Sequence, residues 1–439
     1  MSASGIPICE AVVPRVEKAM PTDFPDEPFL GLDDVEAHTM RVLGSKPGGT
    51  MRSAAKRFYP GDVLYSRLRP YLNKVWLADR SGLCSSEFIV LPANEIVDGA
   101  FLKYRLNAMD FVSFANSLNA GDRPRVDFDQ IGSFRLPAFP ISYQKRIVAK
   151  IEELFSELEA GEESLRVARR QLGVYRQSLL KQAFEGHLTA KWRTQNPDKL
   201  EPWSWLTLED VADVTGGLTK NSKRDSLPTR IPYLRVANVY ANELRLDEIK
   251  DIGVTPEEAK KVRLERGDLL IVEGNGSLDQ IGRVALWDGS IKNCGHQNHL
   301  IRARCRAMVS PAFVLMFLLS PRGRALIEKQ AASTSGLHTL SVSKVQRLPV
   351  PRCSLPEQQE IVRLLDEQFE VIERNERVID GALRKSEALR QAILQKAFTG
   401  RLVPQDPADE PASALLARLR AGRANAPATS DRRRNTILR

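Results

Sequence analysis

The sequence carries one segment twice, at positions 214 residues apart. Gln144 opens QKRIVAKIEELF, and Gln358 opens QQEIVRLLDEQF without a gap. Further on, KQAFEG from Lys181 and QKAFTG from Gln395 keep the same separation. A repeat of this length predicts two copies of one structural unit, which a chain of 439 residues can accommodate.

The correspondence continues upstream with small changes of offset. The following segments of the first and second halves correspond: 29–32 and 233–236, 61–64 and 267–270, 74–77 and 283–286, 101–106 and 313–318, and 135–137 and 347–349. Each half is thus a variable block followed by a better-matched block. The variable blocks contain short apolar and β-branched runs bounded by Gly, Pro or Asn, which predicts mixed α/β domains with many short strands.

The matched blocks predict two long helices, because apolar residues recur every seven positions. The predicted seam residues are Ile147, Ile151, Leu158, Leu165, Leu172, Leu179 and Phe184 in the first copy, and Ile361, Leu365, Ile372, Ile379, Leu389, Ile393 and Phe398 in the second. A seam this narrow needs a partner helix. We expect the two helices to pair antiparallel; the alternative is that each packs only against its own domain.

Composition restricts the class of protein. The net charge of +9 and a pI near 9.3 favour a polyanionic partner. The longest apolar run, residues 312–319, is far shorter than the ~20 residues that a bilayer span needs, so no membrane helix is expected. Five scattered cysteines and the lack of a signal-peptide pattern at the start predict a cytoplasmic protein without disulfides.

Catalytic motifs are missing from the sequence. It contains no GxxxxGK[ST] phosphate loop, no dinucleotide-binding glycine pattern and no recognisable methyltransferase or nuclease motif. Cys294, His296, His299 and Cys305 include zinc-ligand residue types, but their spacing matches no standard finger. The sequence therefore predicts neither a catalytic residue nor a metal site on this chain.

Several motifs resemble one known family. They are RLPVP at 347–351, LPEQQEIV at 355–362, RQAILQKAFTGRLVP at 390–404, Trp203-Ser204-Trp205, IPYLRVANV at 231–239 and PASALL at 411–416. Together with the duplication they are similar to the specificity subunits of type I restriction–modification systems. The first half departs from this pattern, because no Trp-x-Trp signature opens it and residues 1–26 fit the family poorly.

The resemblance implies an α+β fold in which two α/β target-recognition domains are separated by two long antiparallel coiled-coil helices, with an internal pseudo-two-fold repeat. The expected segments are target-recognition domain 1 at 1–140, a central conserved helical region at 141–200, target-recognition domain 2 at 201–354, a distal conserved helical region at 355–404 and a C-terminal tail at 405–439.

The resemblance also implies a non-catalytic chain in a methylation and phage-defence complex. Each domain would read half of a bipartite double-stranded DNA site, while the helices set the spacing. Two modification (methyltransferase) and two restriction (translocase and nuclease) subunits would be partners. S-adenosylmethionine, ATP and Mg would be bound by those partners, so no cofactor is expected on this chain. The alternatives are a self-sufficient DNA-modifying enzyme with an unrecognised active site and a coiled-coil scaffold without a DNA role.

Polar, basic loops are the candidate DNA contacts, since phosphates need cations and base edges need donors and acceptors. The first domain offers Ser66, Arg67, Arg69, Tyr71, Lys74, Arg123 and Arg125. The second offers Thr219, Lys220, Asn221, Lys223, Arg224, Asn275, Ser277, Ser335, His338 and Thr339. The loops that follow the Gly-Asp pairs occupy equivalent places in the repeat and differ in sequence, as expected if each half reads different bases.

Overall fold

A computed structural model describes residues 5–119, 121–274, 280–331 and 339–410, together with Ala414, Ala417 and Arg418. Four predicted DNA contacts, Asn275, Ser277, Ser335 and His338, lie outside these described residues, as does most of the tail expected after residue 404. The chain divides into two units, Met1–Leu165 with Gly381–Arg439, and Arg166–Asp380.

The first domain spans residues 5–137. Its strands are β1 (Gly5–Pro7), β2 (Lys18–Ala19), β3 (Pro28–Leu30), β4 (Lys46–Pro47), β5 (Ala55–Phe58), β6 (Val63–Ser66), β7 (Val75–Leu77), β8 (Gly82–Cys84), β9 (Phe88–Leu91) and β10 (Arg135–Pro137). Its helices are α1 (Ile8–Ala11), α2 (Gly99–Asn107), α3 (Met109–Ser117) and α4 (Phe128–Ile131). The sheet orders are β2-β5-β8-β3-β4, β7-β6-β9 and β1-β10.

Two long helices follow the domains. The helix α5 (Ile141–Phe184) comes after the first domain and is followed by the short α6 (Ala190–Gln195). The helix α12 (Leu355–Phe398) comes after the second domain, and both long helices have 44 residues. Among the described residues, none of the helices has both the length and the apolar character to cross a membrane.

The second domain spans residues 204–352. Its strands are β11 (Ser204–Thr207), β12 (Ala212–Gly216), β13 (Thr229–Leu234), β14 (Val239–Tyr240), β15 (Glu243–Leu244), β16 (Lys250–Val254), β17 (Leu269–Val272), β18 (Val284–Leu286), β19 (Gly295–His296), β20 (Leu300–Cys305) and β21 (Pro349–Arg352). Its helices are α7 (Leu208–Val211), α8 (Pro256–Val262), α9 (Pro311–Leu319), α10 (Pro321–Ala331) and α11 (Val342–Gln346). The sheet orders are β12-β20-β17-β18, β16-β13-β19, β14-β15 and β11-β21.

The repeat predicted from the sequence is present in the strand pairing. The central strand β6 pairs antiparallel with β7 and β9, and β17 pairs in the same way with β18 and β20. Parallel pairing joins β3 to β8 in one domain and β13 to β19 in the other. The two domains therefore share one mixed fold.

One sequence alignment is wrong. The sequence match set residues 135–137 against 347–349. In the structure, residues 135–137 pair with β1 in the same way that residues 349–351 pair with β11. The backbone N–H of Ile8 donates to Phe134 O, and that of Leu208 donates to Leu348 O, so Phe134 corresponds to Leu348. The separation of 214 residues therefore also applies to the last strand before each long helix. The Arg-Leu-Pro sequence that both halves contain misaligned this strand by two residues.

The first domain also has the opening element that its sequence conceals. The strand β1 and helix α1 occupy the places that β11 and α7 occupy in the second domain, and both strands pair with the last strand of their domain. Gly5 and Ile6 stand where the second domain has Trp205 and Leu206. Because backbone hydrogen bonds form this edge, the strand persists without the tryptophans.

Within the first unit, the start of α5 and the end of α12 run antiparallel. Tyr143 donates its hydroxyl to Val403 O at 2.7 Å, whereas Glu162, 19 positions later, accepts from Ser386 at 2.7 Å and from Arg390 at 3.2 Å. As residue numbers rise on one helix they fall on the other. This confirms the antiparallel pairing and excludes the alternative that each helix contacts only its own domain.

The second unit shows the same direction. Arg169 bonds Asp380 at 3.0 Å, and Arg176 lies 4.0 Å from Glu373. Leu179 and Ile361 belong to one buried apolar cluster that also contains Phe313 of α9. The end of α5 is therefore packed both on α12 and on the second domain.

The seam differs from the prediction at one repeated position. The predicted Leu389 is exposed, as is Tyr175 at the equivalent place of α5, whereas Phe155 and Phe369, which the sequence did not predict, are buried. The guanidinium of Arg390 lies 5.0 Å from the centre of the Phe155 ring, and that of Arg176 lies 4.7 Å from Phe369. Both Phe and both Arg are separated by 214 residues, so a single cation–π contact is made twice.

One buried amide fixes each long helix to its own domain. Gln144 donates to Ile96 O and Phe139 O at 2.7 Å and accepts from Asp98 N at 2.9 Å. Gln358, at the equivalent position, donates to Met308 O and Cys353 O and accepts from Ser310 N. The same hydrogen bonds in the two halves tie the first turn of each long helix to its own domain.

Candidate nucleic-acid interface

Two predicted DNA-contact loops of the first domain meet in the structure. Leu68 and Arg125 form a β-bridge, and the backbone N–H of Arg69 donates to Pro124 O at 2.8 Å. Arg69 and Asn73 both have positive φ, at 51° and 40°, where a non-glycine residue is strained. The loop after β6 and the loop before α4 thus form one surface.

The side chains on this surface divide into two groups. Arg67 pairs with Asp127, Arg125 lies 2.6 Å from Glu87, and Lys74 donates to Leu32 O at 2.7 Å. Ser66 is buried and donates to Leu68 O. These four residues hold the loops in place.

The second group faces solvent. Arg69, Tyr71 and Arg123 are exposed, and neither arginine has an ion pair with a residue in the described ranges. We therefore assign the available donors of this surface to Arg69 and Arg123, with Tyr71 beside them.

The equivalent loops of the second domain meet in the same way. Gly274 and Thr339 form a β-bridge at the positions that correspond to Leu68 and Arg125. The backbone N–H of Leu340 donates to Glu273 O at 2.7 Å, as that of Val126 donates to Arg67 O. Thr339 is exposed. The two domains therefore bring corresponding loops together although the loop sequences differ.

The remaining predicted group lies elsewhere in the second domain. Thr219, Lys220, Asn221 and Lys223 are exposed. Arg224 is the structural member: it forms two hydrogen bonds to Glu258, of 3.0 and 2.9 Å, and donates to Gly253 O and Thr219 O. Its guanidinium ties this segment to α8.

A buried carboxylate fixes the turn that precedes β6 in the first domain and β17 in the second, and sequence reasoning missed its role. Asp62 accepts two bonds of 2.9 Å from Arg15, and Asp268 accepts two of 2.8 Å from Arg304. The preceding glycines have φ of 89° and 92°, which requires glycine at this turn. The repeated Gly-Asp pair in the sequence was the available signal.

The cysteine and histidine group of the second domain is not a metal centre in the structure. His296 is buried and its Nδ1 lies 3.1 Å from Val262 O, whereas exposed His299 pairs with Glu273 at 2.8 Å. In the ranges that the structure describes, no three His, Cys, Asp or Glu side chains are grouped to hold a metal ion.

The stability of the second domain is expected to fall in weak acid because of His296. Burial lowers the pKa of His296 to about 4, below its usual 6.5. Between pH 6.5 and 4, His296 is protonated in the unfolded chain but stays neutral in the folded domain. Its contribution to the free energy of unfolding is therefore constant above pH 6.5 and decreases by about 3 kcal/mol as the pH falls to 4. Chemical unfolding between pH 7 and 4 would measure this loss. The His296→Gln variant should not show this loss of stability, whereas the His187→Gln variant, changed at an exposed site, should show the same loss as the parent. Equal losses in the parent and both variants would contradict the assignment to His296.

The comparisons with known proteins agree with the geometry. Residues 201–380 match the family model described as type I restriction modification DNA specificity domain. The type I restriction enzyme EcoKI specificity subunit of Escherichia coli K12 is 29% identical over 353 residues, which are 76% of this chain and 74% of that protein. Residues 201–380 are thus a type I restriction modification DNA specificity domain, and the chain is similar to type I specificity subunits over three quarters of its length.

Solved structures show that the fold of this chain is shared. A chain from a structure on complex assembly and conformational transition of a type I R-M system has a TM-score of 0.71 at 21% identity, covering 91% of this chain and 99% of that one. The HsdS subunit from Thermoanaerobacter tengcongensis has a TM-score of 0.51 at 22% identity, covering 90% and 96%.

Proposed function

We propose that this chain is the DNA-reading, non-catalytic subunit of a type I methylation and restriction complex, with each domain reading one half of a bipartite double-stranded site. The observation that carries this proposal is the pair of converging loops, found at equivalent places in two domains of one fold. Shared architecture with divergent loop sequence is the pattern expected of two readers with different targets.

The helices are proposed to set the gap between the half-sites. A helix of 44 residues is about 66 Å long at ~1.5 Å per residue, which exceeds one turn of DNA. The paired contacts in each unit support a fixed register, because the seam offers the same Arg–Phe contact at two places.

Exposed apolar side chains on the helices support the docking of partner subunits. Val174 is 71% exposed on α5 and Val378 is 65% exposed on α12, although the rest of each helix surface is largely charged. We propose that two modification subunits, and through them two restriction subunits, bind the helices. S-adenosylmethionine, ATP and Mg would then be bound by those partners.

Mapping methylated bases in the genome of the source cell tests the whole proposal. A split motif with a fixed unspecified gap is expected, and methylation at a continuous motif would contradict it. Incubating the pure chain with labelled methyl donor and DNA tests the alternative enzyme, since incorporation of label without partner subunits would overturn the non-catalytic assignment.

Arg123→Ala and Arg69→Ala are each expected to weaken DNA binding, because both guanidinium groups are exposed beside the reading loops. Loss of a base contact weakens binding by about 1–3 kcal/mol and relaxes specificity at one base position. Loss of a phosphate contact reduces the slope of log affinity against log salt concentration by about one. Binding to the methylated motif across a salt series distinguishes these results. Arg80→Ala, at another exposed arginine of this domain, is the control; unchanged binding in both test variants would remove the first-domain assignment.

A further inference from the structure

An exposed turn links β19 to β20 in the second domain. The backbone N–H of Leu300 donates to Gln297 O at 2.9 Å, so Asn298 and His299 are the two central residues of the turn. His296 and Leu300, on either side, are buried, whereas Asn298 is half-buried and His299 is exposed. The turn thus presents an amide and an imidazole at the surface. Sequence reasoning considered its histidine only as a zinc ligand.

Backbone hydrogen bonds place this turn between the two groups of predicted DNA contacts. On one side, Leu218 O accepts from the N–H of Asn298 at 2.9 Å. On the other side, His299 O accepts from Glu273 N at 3.0 Å, and Glu273 O accepts from Leu340 N at 2.7 Å. Four backbone segments therefore lie side by side at spacings of ~4.8 Å, which gives a width of ~14 Å. That width is close to the ~12 Å of the DNA major groove.

The charges on this surface differ between its edges and its centre. At one edge, Lys220 is exposed two residues after Leu218. At the other edge, the Lys344 ammonium donates to Thr339 O at 3.1 Å. The carboxylate of Glu273 lies between them. Cations at the edges attract the phosphates of the two strands, whereas a carboxylate at the centre repels phosphate. The centre of the surface therefore suits base edges better than backbone.

Glu273 also determines which ring nitrogen of His299 can accept a hydrogen bond. The Nδ1 atom of His299 lies 2.8 Å from Glu273 Oε2. Because a carboxylate accepts, Nδ1 carries the hydrogen, and Nε2 of the neutral imidazole is left as an acceptor. The donors that bases present in the major groove are the amino groups of adenine and cytosine. The Asn298 amide supplies both a donor and an acceptor, as in the paired hydrogen bonds of asparagine with adenine.

The first domain has the same turn with different side chains. The backbone N–H of Phe88 donates to Ser85 O at 3.0 Å, so Ser86 and Glu87 are its central residues. The Glu87 carboxylate lies 2.6 Å from Arg125 and helps to hold the first-domain loops together. One backbone arrangement thus carries different polar side chains in the two halves, as expected of parts that read different bases.

We propose that Asn298 and His299 read base pairs in the half-site of the second domain, with Nε2 of His299 accepting a hydrogen bond from an adenine or cytosine amino group. The inference rests on the proposed DNA-reading function and names determinants of its specificity. Glu273 is a positioning residue, because it acts through the imidazole that it orients.

The test compares Asn298→Ala and His299→Ala with the parent, in the full-length chain with its modification subunits present. Duplexes that carry the methylated motif, or one base-pair change in it, are titrated across a salt series. Each variant is expected to bind the motif about tenfold more weakly and to lose the preference at one base pair, both in the same half-site. The slope of log affinity against log salt concentration should not change. His187→Ala, at another exposed histidine of the same unit, is the matched control and should bind as the parent does.

A base analogue tests the donor assigned to His299. At the base pair whose preference His299→Ala loses, purine replaces adenine or pyrimidin-2-one replaces cytosine, which removes the amino group. The parent should bind this duplex about tenfold more weakly than the motif. His299→Ala should bind the two duplexes equally, because the hydrogen bond is already absent. The same penalty in both proteins would show that His299 does not accept from this amino group.

Two further results would overturn the proposal and leave the reading function intact. If the parent prefers its motif and both variants keep its affinity and preferences, the turn does not read bases. If a variant loses about one from the salt slope and keeps every preference, the turn contacts phosphate instead. A parent without sequence preference would contradict the reading function itself, and the role of the turn with it. Equal melting temperatures verify that the variants are folded.

Discussion

Replacing Glu357 with alanine is expected to lower the free energy of unfolding of the second unit by about 3 kcal/mol. The carboxylate is fully buried at the start of α12, 2.7 Å from Arg193 Nε, and accepts hydrogen bonds from Thr189 at 2.9 Å and Trp203 at 3.2 Å. Removing it leaves the half-buried Arg193 guanidinium without its carboxylate and the Thr189 and Trp203 donors without their acceptor. Denaturant unfolding of the full chain measures the change.

The control for Glu357 is Glu367→Ala, which removes an exposed carboxylate from the same helix and should change stability by no more than about 0.5 kcal/mol. Tyr143→Phe is a second comparison, since Tyr143 holds the equivalent position of the repeat through one hydroxyl and should cost about 1 kcal/mol. Similar losses for Glu357→Ala and Glu367→Ala would show that the buried carboxylate does not stabilise this junction.

Inserting one heptad into both long helices is expected to change the DNA gap that the complex accepts. Seven residues placed after Leu165 in α5 and after Asp380 in α12 add about 10 Å, or roughly three base pairs at ~3.4 Å each. The original motif should lose the contacts of one half-site, each base pair of which contributes about 1–3 kcal/mol. A motif with the longer gap should be methylated instead, at reduced efficiency because its half-sites are also rotated.

Methylation-site mapping with the inserted protein measures this change. The same seven residues added within the tail after residue 410 form the control, which should leave the gap unchanged. An unaltered gap after insertion into both helices would remove the role proposed for them, whether or not the domains still bind DNA.

The sequence was sufficient to predict the duplication and the antiparallel helices because both depend on residues that repeat with fixed spacing. It missed the row of the seam that contains Phe155 and Phe369. At a spacing of seven residues this row also contains charged side chains, so a search for apolar residues at every seventh position does not find it. The partners there are Arg390 and Arg176, whose stems pack on aromatic rings. It also missed β1, because main-chain hydrogen bonds define that strand and the side chains differ between copies.

A charge signal for the helix direction was present in the sequence. In the first unit, residues 141–165 contain three basic and six acidic side chains, and residues 381–398 contain four basic and one acidic. In the second unit, residues 166–184 contain five basic and no acidic side chains, and residues 355–380 contain three basic and eight acidic. Antiparallel pairing sets acidic halves beside basic halves in both units, and parallel pairing would oppose two acidic halves. The site was harder to predict, because only three-dimensional contacts separate Arg69 and Arg123 from ion-paired Arg67 and Arg125.

The glutamines at the domain–helix junctions have a mechanical consequence. Because one planar amide bonds two backbone groups of the domain, a long helix that swings about its first turn must break both of these bonds of Gln144 or Gln358 at once. A torque applied to a domain by bound DNA is then carried into the helix rather than dissipated at a flexible joint. Strain from a badly spaced target would thus reach any subunit seated on the helices.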